Sequence, residues 1–115
     1  MLVQVRADGD ERGRGARPAD VAALVRHCME RSHLGVDGLM TMPPPGLASA
    51  ALRACFGAVR ELRSAVAREV GVELPHLSMG MSGDFPDAIA EGATMIRLGR
   101  ELFGTRGPRP WRRNA

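Results

Sequence analysis

The sequence contains no lysine and no tyrosine, and only three phenylalanines and one tryptophan among its 115 residues. All sixteen basic residues are therefore arginines, and with thirteen acidic residues they leave a formal charge of +3. Nucleic-acid-binding surfaces combine clustered basic charge with interleaved aromatic side chains. The arginines here are spread among the acids, so the composition argues against a nucleic-acid partner. The one dense run, at 106–113, is broken by proline and glycine and predicts a disordered basic tail over 107–115.

Cysteine and long apolar runs are also scarce. Cys28 and Cys55 are the only cysteines, and their separation matches no metal-binding or redox motif. Each lies inside a helical pattern, which favours buried free thiols in a reducing compartment. No run approaches the roughly 20 apolar residues of a membrane span. We therefore expect a cytoplasmic protein with no membrane partner.

Short apolar runs alternate with helical patterns along the chain. The runs with the length of β-strands are LVQV (2–5), VDGLM (36–40), HLSMG (76–80) and TMIRL (94–98). A long helical pattern follows each of the first two runs, and shorter helices are expected at about 84–91 and 100–103. The order β-α-β-α-β-α-β-α predicts a parallel sheet with right-handed crossovers in one domain, residues 1–106.

Both long helices have one apolar stripe. The first pattern has Pro18 placed for its first turn, and its stripe comprises Val21, Leu24, Val25, Cys28 and Met29. The stripe of the second comprises Leu52, Cys55, Phe56, Val59, Leu62 and Val66. Gly71 is predicted to end the second helix.

Polar side chains alternate with apolar ones along the predicted strands. If the valine and isoleucine positions contact the helices, the opposite face carries Gln4, Arg6, Ser78 and Arg97. A doubly wound sheet has two apolar faces, whereas a barrel encloses a lumen that can be polar. Four βα units are about half of a barrel of roughly 250 residues. The sequence thus predicts an α/β fold, a parallel (βα)4 half of a TIM-type (β/α)8 barrel.

Two turns near the end of the chain combine glycine with residues suited to an anion. Ser82 and Gly83 follow the third strand, with Asp84 as candidate N-cap of the next helix. Gly99 follows the fourth strand, so the amides of Gly99 and Arg100 can point at a phosphate. The first turn is equally explained as a capped helix start. As the last two βα turns of a parallel array, however, the two match the place where barrels hold phosphate.

Arg97 lies on the predicted interior face of the last strand. A guanidinium there is costly to bury unless it meets an anion or another acceptor. One alternative is a structural ion pair with Glu101, which is near in sequence.

The segment LSMGMSGDFPDAIAEGATMIRLGRELFG, 77–104, resembles the C-terminal signature of the YggS/PROSC family of pyridoxal phosphate homeostasis proteins, which are related to the N-terminal barrel of alanine racemase. Weaker likeness extends over most of residues 1–106. The resemblance implies a cofactor phosphate held after the last two strands, by residues matching Ser82, Gly99 and Arg100. It also implies that Arg97 faces the pyridine nitrogen and keeps it unprotonated. Such proteins are regarded as carriers or regulators of pyridoxal phosphate, with no established turnover.

The chain departs from this family at two positions. Position 100 is often threonine in the family and is Arg100 here, so a hydroxyl contact is lost while the amide remains and a charge is added. In the family, the strand that matches LVQV (2–5) usually continues into asparagine, whereas this chain has Arg6 there.

The absence of lysine limits the chemistry of this chain. The family holds the pyridoxal aldehyde as an imine on a lysine, and no other side chain offers a suitable amine. The chain therefore resembles the C-terminal half of such a protein, binding pyridoxal 5'-phosphate non-covalently and not acting as an enzyme. The alternatives are part of a racemase-like or decarboxylase-like enzyme that needs a lysine-bearing partner chain, or a non-functional remnant. A half-barrel also leaves two open strand edges, which predicts a homo-oligomer.

Three other groups of residues have less specific interpretations. His27, His33 and His76 lack ligand spacing, so no metal is expected. The methionines are interpreted as core or lumen packing. The segment MPPPG, 42–46, is either a functional loop at the strand ends or a spacer.

Overall fold

A computed structural model describes residues 1–7 and 10–107 of the chain. The strands are β1 (Leu2–Val5), β2 (Gly38–Thr41), β3 (His76–Met81) and β4 (Met95–Arg97). The helices are α1 (Val21–Met29), α2 (Ser49–Val70), α3 (Phe85–Ala90) and α4 (Arg100–Phe103). The predicted alternation of strands and helices is confirmed. Apart from residue 107, the predicted basic tail lies outside the described residues.

The four strands form one parallel sheet in chain order. Gln4 of β1, Met40 of β2 and Ser78 of β3 lie side by side in one row of the sheet. Because side chains alternate along each strand, these residues share a face. In the described part of the chain, β4 has one edge without a partner. The outer edge of β1 forms a bridge from Val5 to Ala16, in which the Arg6 amide donates to the Ala16 carbonyl and the Ala16 amide donates to the Gln4 carbonyl.

The core lies between the sheet and its helices. Leu39 of β2 and Leu77 of β3 are fully buried, and Phe56 of α2 packs in the same cluster. The predicted α2 stripe is confirmed, with Leu62 only partly buried at its margin. α2 ends at Gly71, which adopts the left-handed conformation (φ 76°) that glycine permits without strain. Cys28 and Cys55 are both buried, as predicted, and neither forms a disulfide among the described residues.

The first helix differs from the prediction at its start and in its buried stripe. Pro18 lies in a 3-10 turn, Pro18–Asp20, and α1 begins only at Val21. Leu24 and Met29, which the periodicity assigned to the core, are exposed at 38% and 44%. α1 packs against β1 and α2, and these neighbours cover only a narrow part of the helix surface. The buried stripe is therefore limited to Val21, Val25 and Cys28.

A bulge near the end of β3 brings α3 close to the sheet. Ser78 pairs with Met95 and Met81 with Arg97, so β3 has one residue more than β4 between these pairs. Gly80 lies in this bulge with φ of 100°. A Cβ at Gly80 would come within 2.7 Å of the Ala88 Cβ on α3. The glycine therefore permits both the backbone turn and the close approach of α3.

None of the helices in the described part of the chain is both long enough and apolar enough to cross a bilayer. Within residues 1–7 and 10–107, no three His, Cys, Asp or Glu side chains are grouped as a metal site would require.

Candidate anion-binding site

The turns after β3 and β4 meet through the side chain of Ser82. The Ser82 Oγ accepts hydrogen bonds from the backbone amides of Gly99 (3.3 Å) and Glu101 (3.2 Å). Two N–H groups thus converge on one oxygen atom at the carboxyl ends of the strands. An oxygen that accepts hydrogen bonds from two backbone amides occupies a position that an oxygen of a bound anion can also take.

The Asp84 carboxylate forms a hydrogen bond within the turn after β3 and does not cap α3. It stands at the N-cap position, but its carboxylate makes no capping hydrogen bond to the helix. Instead, the Asp84 Oδ1 accepts from the Met81 amide at 2.6 Å. Asp84 is therefore the N-cap residue, as predicted, while its carboxylate accepts from the local amide at the end of β3 and not from the helix. Pro86 does lie in the first turn of α3.

An open cleft of about 700 Å³ lies at this end of the sheet. Three segments line it, together with Leu52 of α2: the loop at 42–47, the turn at 81–84 and residues within 99–106. The loop contributes an apolar wall that includes three consecutive prolines, and Phe103 adds an aromatic ring. The cleft therefore combines polar turns on one side with apolar surface on the other.

Three of the four predicted site residues line this cleft, and the fourth does not. Ser82, Gly99 and Arg100 are lining residues. Arg97, the last residue of β4, instead donates from Nη2 to the backbone carbonyl of Thr41 at 2.9 Å. The structure thus groups the turn residues, while Arg97 joins the ends of β4 and β2.

The surroundings of Arg97 exclude the alternative ion pair with Glu101. No salt bridge joins these two side chains in the described chain. The Arg97 Nε is buried and has no acceptor among the described residues. Burial lowers the pKa of the Arg97 guanidinium, and the negative charge of Asp84 partly opposes that shift. The N–H group of Arg97 Nε is therefore a hydrogen-bond donor without an acceptor among the described residues.

The charge of the cleft is positive. Two guanidinium groups, Arg100 and Arg106, line it together with one carboxylate, Asp84. That carboxylate already accepts the Met81 amide. Both arginines are exposed, so water screens their charge, but the sign of the lining still favours an anionic ligand.

Sequence reasoning left the loop at 42–47 undecided and did not include Phe103 or Arg106 in the site. The signal for the loop was available, because it follows β2 directly and the carboxyl ends of parallel strands meet at one edge of a sheet. Phe103 and Arg106 carry no comparable signal. Their place in the cleft depends on how the short helix α4 folds back, which no local pattern specifies.

A parallel (βα)4 sheet with a cleft at the carboxyl ends of its strands is the architecture of part of an α/β barrel. The chain belongs to the alanine racemase N-terminal domain family, whose sequence model matches residues 2–107. The predicted fold class, half of a TIM-type barrel, is thereby confirmed.

Similar proteins support the family resemblance seen in the sequence. A pyridoxal phosphate homeostasis protein of Aquifex aeolicus is 44% identical over 106 residues, which are 92% of this chain and 46% of that protein. One of Synechocystis is 40% identical over 105 residues, 91% of this chain and 48% of that protein. The chain therefore spans about half the length of these curated relatives. That it is the C-terminal half stays a prediction.

Solved structures match over the same extent. PipY of Synechococcus elongatus without pyridoxal phosphate superposes with a TM-score of 0.82 at 38% identity, over 90% of this chain and 48% of PipY. PipY with pyridoxal phosphate bound gives a TM-score of 0.79 at 36% identity, with the same coverage.

Proposed function

We propose that this chain binds pyridoxal 5'-phosphate non-covalently, with the phosphate held in the cleft between the turns after β3 and β4. It serves in the storage or regulation of the cofactor and does not catalyse a reaction by itself. The PipY structure with the cofactor bound, a likeness that extends over 90% of this chain, supports the assignment of the ligand. The relatives named for pyridoxal phosphate homeostasis support the role.

The observation that carries the proposal is the convergence of the Gly99 and Glu101 amides on the Ser82 hydroxyl. A phosphate oxygen can replace Ser82 Oγ as the acceptor of these amides. The hydroxyl is then free to rotate and donate its own hydrogen to the phosphate. The exchange preserves every hydrogen bond of the turn and adds one, so the turn fits a phosphate group.

The remainder of the cleft fits the body of the cofactor. Its apolar wall, formed by the loop at 42–47 and Phe103, offers contact surface for an aromatic ring. When bound, pyridoxal phosphate supplies an aldehyde that forms imines with amines. This chain has no lysine to form one with a side chain, so its own residues hold the cofactor by phosphate and ring contacts only.

Arg97 is assigned to the ring end of the cofactor by the family resemblance. Its unpaired Nε and its position opposite the helices support that role. A guanidinium donates hydrogen bonds without releasing its proton, so it leaves a pyridine nitrogen unprotonated. Replacing Arg97 by alanine is expected to weaken cofactor binding more than Arg68→Ala on the exposed surface of α2. Equal effects would remove Arg97 from the site.

The phosphate assignment is tested by equilibrium binding of pyridoxal phosphate and of pyridoxal, which lacks the phosphate. The wild type is expected to bind the phosphorylated form more tightly, and Ser82→Ala to lose most of that preference. Ser64→Ala is the matched control, because Ser64 bonds only to the Arg60 carbonyl within α2. Equal binding of both ligands by the wild type would reject the proposal.

Covalent attachment gives a second test. Borohydride reduction of the loaded protein followed by mass spectrometry is expected to show no cofactor fixed to any side chain. A reduced adduct on a side chain would contradict non-covalent binding and reopen the alternative of an enzyme part.

We also propose that the chain associates with itself through the outer edges of β1 and β4, although Ala16 already bonds to the carboxyl end of the β1 edge. Unpaired strand edges readily pair with further strands, and two such sheets contain the eight strands of a closed barrel. Analytical ultracentrifugation is expected to detect a dimer. A stable monomer at all concentrations would reject this proposal. The cytoplasmic location stays a prediction.

A further inference from the structure

The described part of the chain ends beside the cleft. Arg106 lines the cleft and Gly107 is the last described residue. The residues that follow are PRPWRRNA, 108–115, here called the C-terminal segment. Trp111 lies five positions beyond Arg106. An extended chain spans about 3.4 Å per residue, so Trp111 can reach about 17 Å from Arg106 and contact any wall of the cleft.

The apolar wall of the cleft has little covering it. Phe103 is 85% exposed, the most of any large apolar side chain in the described chain. Met42, which follows β2, and Met81, which ends β3, both line the cleft and are 43% and 44% exposed. The three prolines at 43–45 line it as well. Contiguous exposed apolar surface of this kind typically marks a place where another group binds.

Trp111 is the group in the C-terminal segment that suits such a wall. It is the only tryptophan of the chain, and its seven companions in the segment are proline, arginine, asparagine and alanine. Tryptophan buries a large apolar area when its ring packs against another aromatic ring. Pro108 and Pro110 restrict the backbone on its N-terminal side, which reduces the conformational entropy lost when the segment docks.

The charge of the C-terminal segment decides when docking is favourable. Arg109, Arg112 and Arg113 are its only charged side chains. The cleft is lined by two arginines and one carboxylate, so like charges oppose docking while the cleft holds no ligand. A phosphate monoester brings about two negative charges and reverses the sign. The same three arginines then favour docking.

We propose that the C-terminal segment closes over the cleft when a phosphate group binds there, with Trp111 packed against Phe103. The inference rests on the proposed function, because the phosphate is that of the cofactor, and it adds a conformational step that the cofactor triggers. A cleft of about 700 Å³ can enclose a drug-sized ligand, so one phosphorylated ring leaves space for the indole. Coupling is reciprocal, and docking of the segment therefore tightens phosphate binding.

Tryptophan fluorescence tests the inference, because Trp111 is the only tryptophan and the chain has no tyrosine. The probe is inorganic phosphate, with sodium chloride at the same ionic strength as the control, and calorimetry shows when phosphate is saturating. Phosphate should shift the emission to shorter wavelength. Acrylamide quenching should fall about 2-fold or more, since docking buries at least half of the indole surface. An emission that bound phosphate leaves unchanged overturns the inference, as does an equal shift with chloride.

Two adjacent residues of α4 provide matched variants. Phe103→Ala removes the proposed contact and should abolish the shift at saturating phosphate. Leu102→Ala is the control and should keep the shift, because Leu102 is also exposed, at 68%, but is not a lining residue of the cleft. Trp111→Ala should weaken phosphate binding about 5-fold or more, as expected for coupled binding. Equal loss of the shift in both α4 variants, or an unchanged phosphate affinity in Trp111→Ala, overturns the inference.

Comparison of pyridoxal phosphate with pyridoxal separates the two proposals. Tighter binding of the phosphorylated form, with no response of Trp111 to phosphate, keeps the proposed function and rejects the inference. A Trp111 response that depends on Phe103, without any preference for pyridoxal phosphate over pyridoxal, does the reverse. If the wild type binds no phosphate compound, both are rejected.

Discussion

The two faces of the sheet differ in what covers them. On one face, Leu39 and Leu77 are fully buried beneath the helices. On the other, Gln4 and Met40 are only half-buried and Met95 is 37% exposed, while the small side chain of Ser78 between Met40 and Met95 is buried. Both faces consist of alternate residues of the same strands, so the difference comes from the layer above them. The covered face provides stability, and the open face corresponds to the interior of the family's barrel.

Adjacent residues of β2 give the largest expected difference. Leu39→Ala removes a fully buried side chain and should lower the free energy of unfolding by about 2–5 kcal/mol. Met40→Ala, on the open face, should cost clearly less because its side chain is already half in water. Urea denaturation of both variants measures the contrast. Equal losses would mean that something also covers the open face in solution.

The bulge at Gly80 tests whether α3 must approach the covered face closely. Gly80→Ala places a side chain at φ of 100° and against Ala88. It should cost about 1–3 kcal/mol, the range for strained backbone conformations. Gly35→Ala is the control, since nothing lies within 4 Å of its added Cβ and its φ is not in the left-handed region. If Gly80→Ala unfolds at the same urea concentration as Gly35→Ala, the close packing is not required.

The smallest effect concerns Glu91, which connects α3 to α2 on the covered side. Hydrogen bonds from Arg53 and Arg60 lower the pKa of Glu91 below its ordinary value of 4.5. A carboxyl with a lowered pKa adds stability that is complete above the ordinary value and is lost as pH falls through the folded value. Glu91→Gln should therefore lower Tm at pH 7, and the deficit should shrink as pH falls below 4.5.

Exposed Glu73 provides the control for that pH dependence. Glu73→Gln should show almost no difference from the wild type at either pH. A Glu91→Gln deficit that stays constant from pH 7 to acid would assign the effect to packing and not to ionisation.

Prediction from the sequence was most successful where one local period determines the outcome. The α2 stripe, the left-handed end at Gly71 and the alternation along the strands each follow from residues close in the chain. It failed at Leu24 and Met29, because exposure depends on which neighbours pack against α1. The N-cap position of Asp84 was predicted correctly, although its carboxylate bonds to an amide at the end of β3 and not to the helix.

The candidate site shows the same division. Ser82, Gly99 and Arg100 were identified by their positions in two turns, and the structure brings them into one cleft. The same reasoning grouped Arg97 with them, whereas its guanidinium reaches the Thr41 carbonyl on β2. Sequence distance gave no indication of that contact, which spans 56 residues.

The sequence by itself determined the alternation of strands and helices, the face of each strand that meets the helices, and the lack of any lysine for an imine. These features depend on residue type and local spacing, where backbone geometry leaves few choices. Only the tertiary structure decided that the Ser82 hydroxyl gathers the Gly99 and Glu101 amides and that Arg97 reaches the Thr41 carbonyl. Those contacts join separate βα units, and their geometry is set by how the sheet twists and how α3 and α4 pack on it.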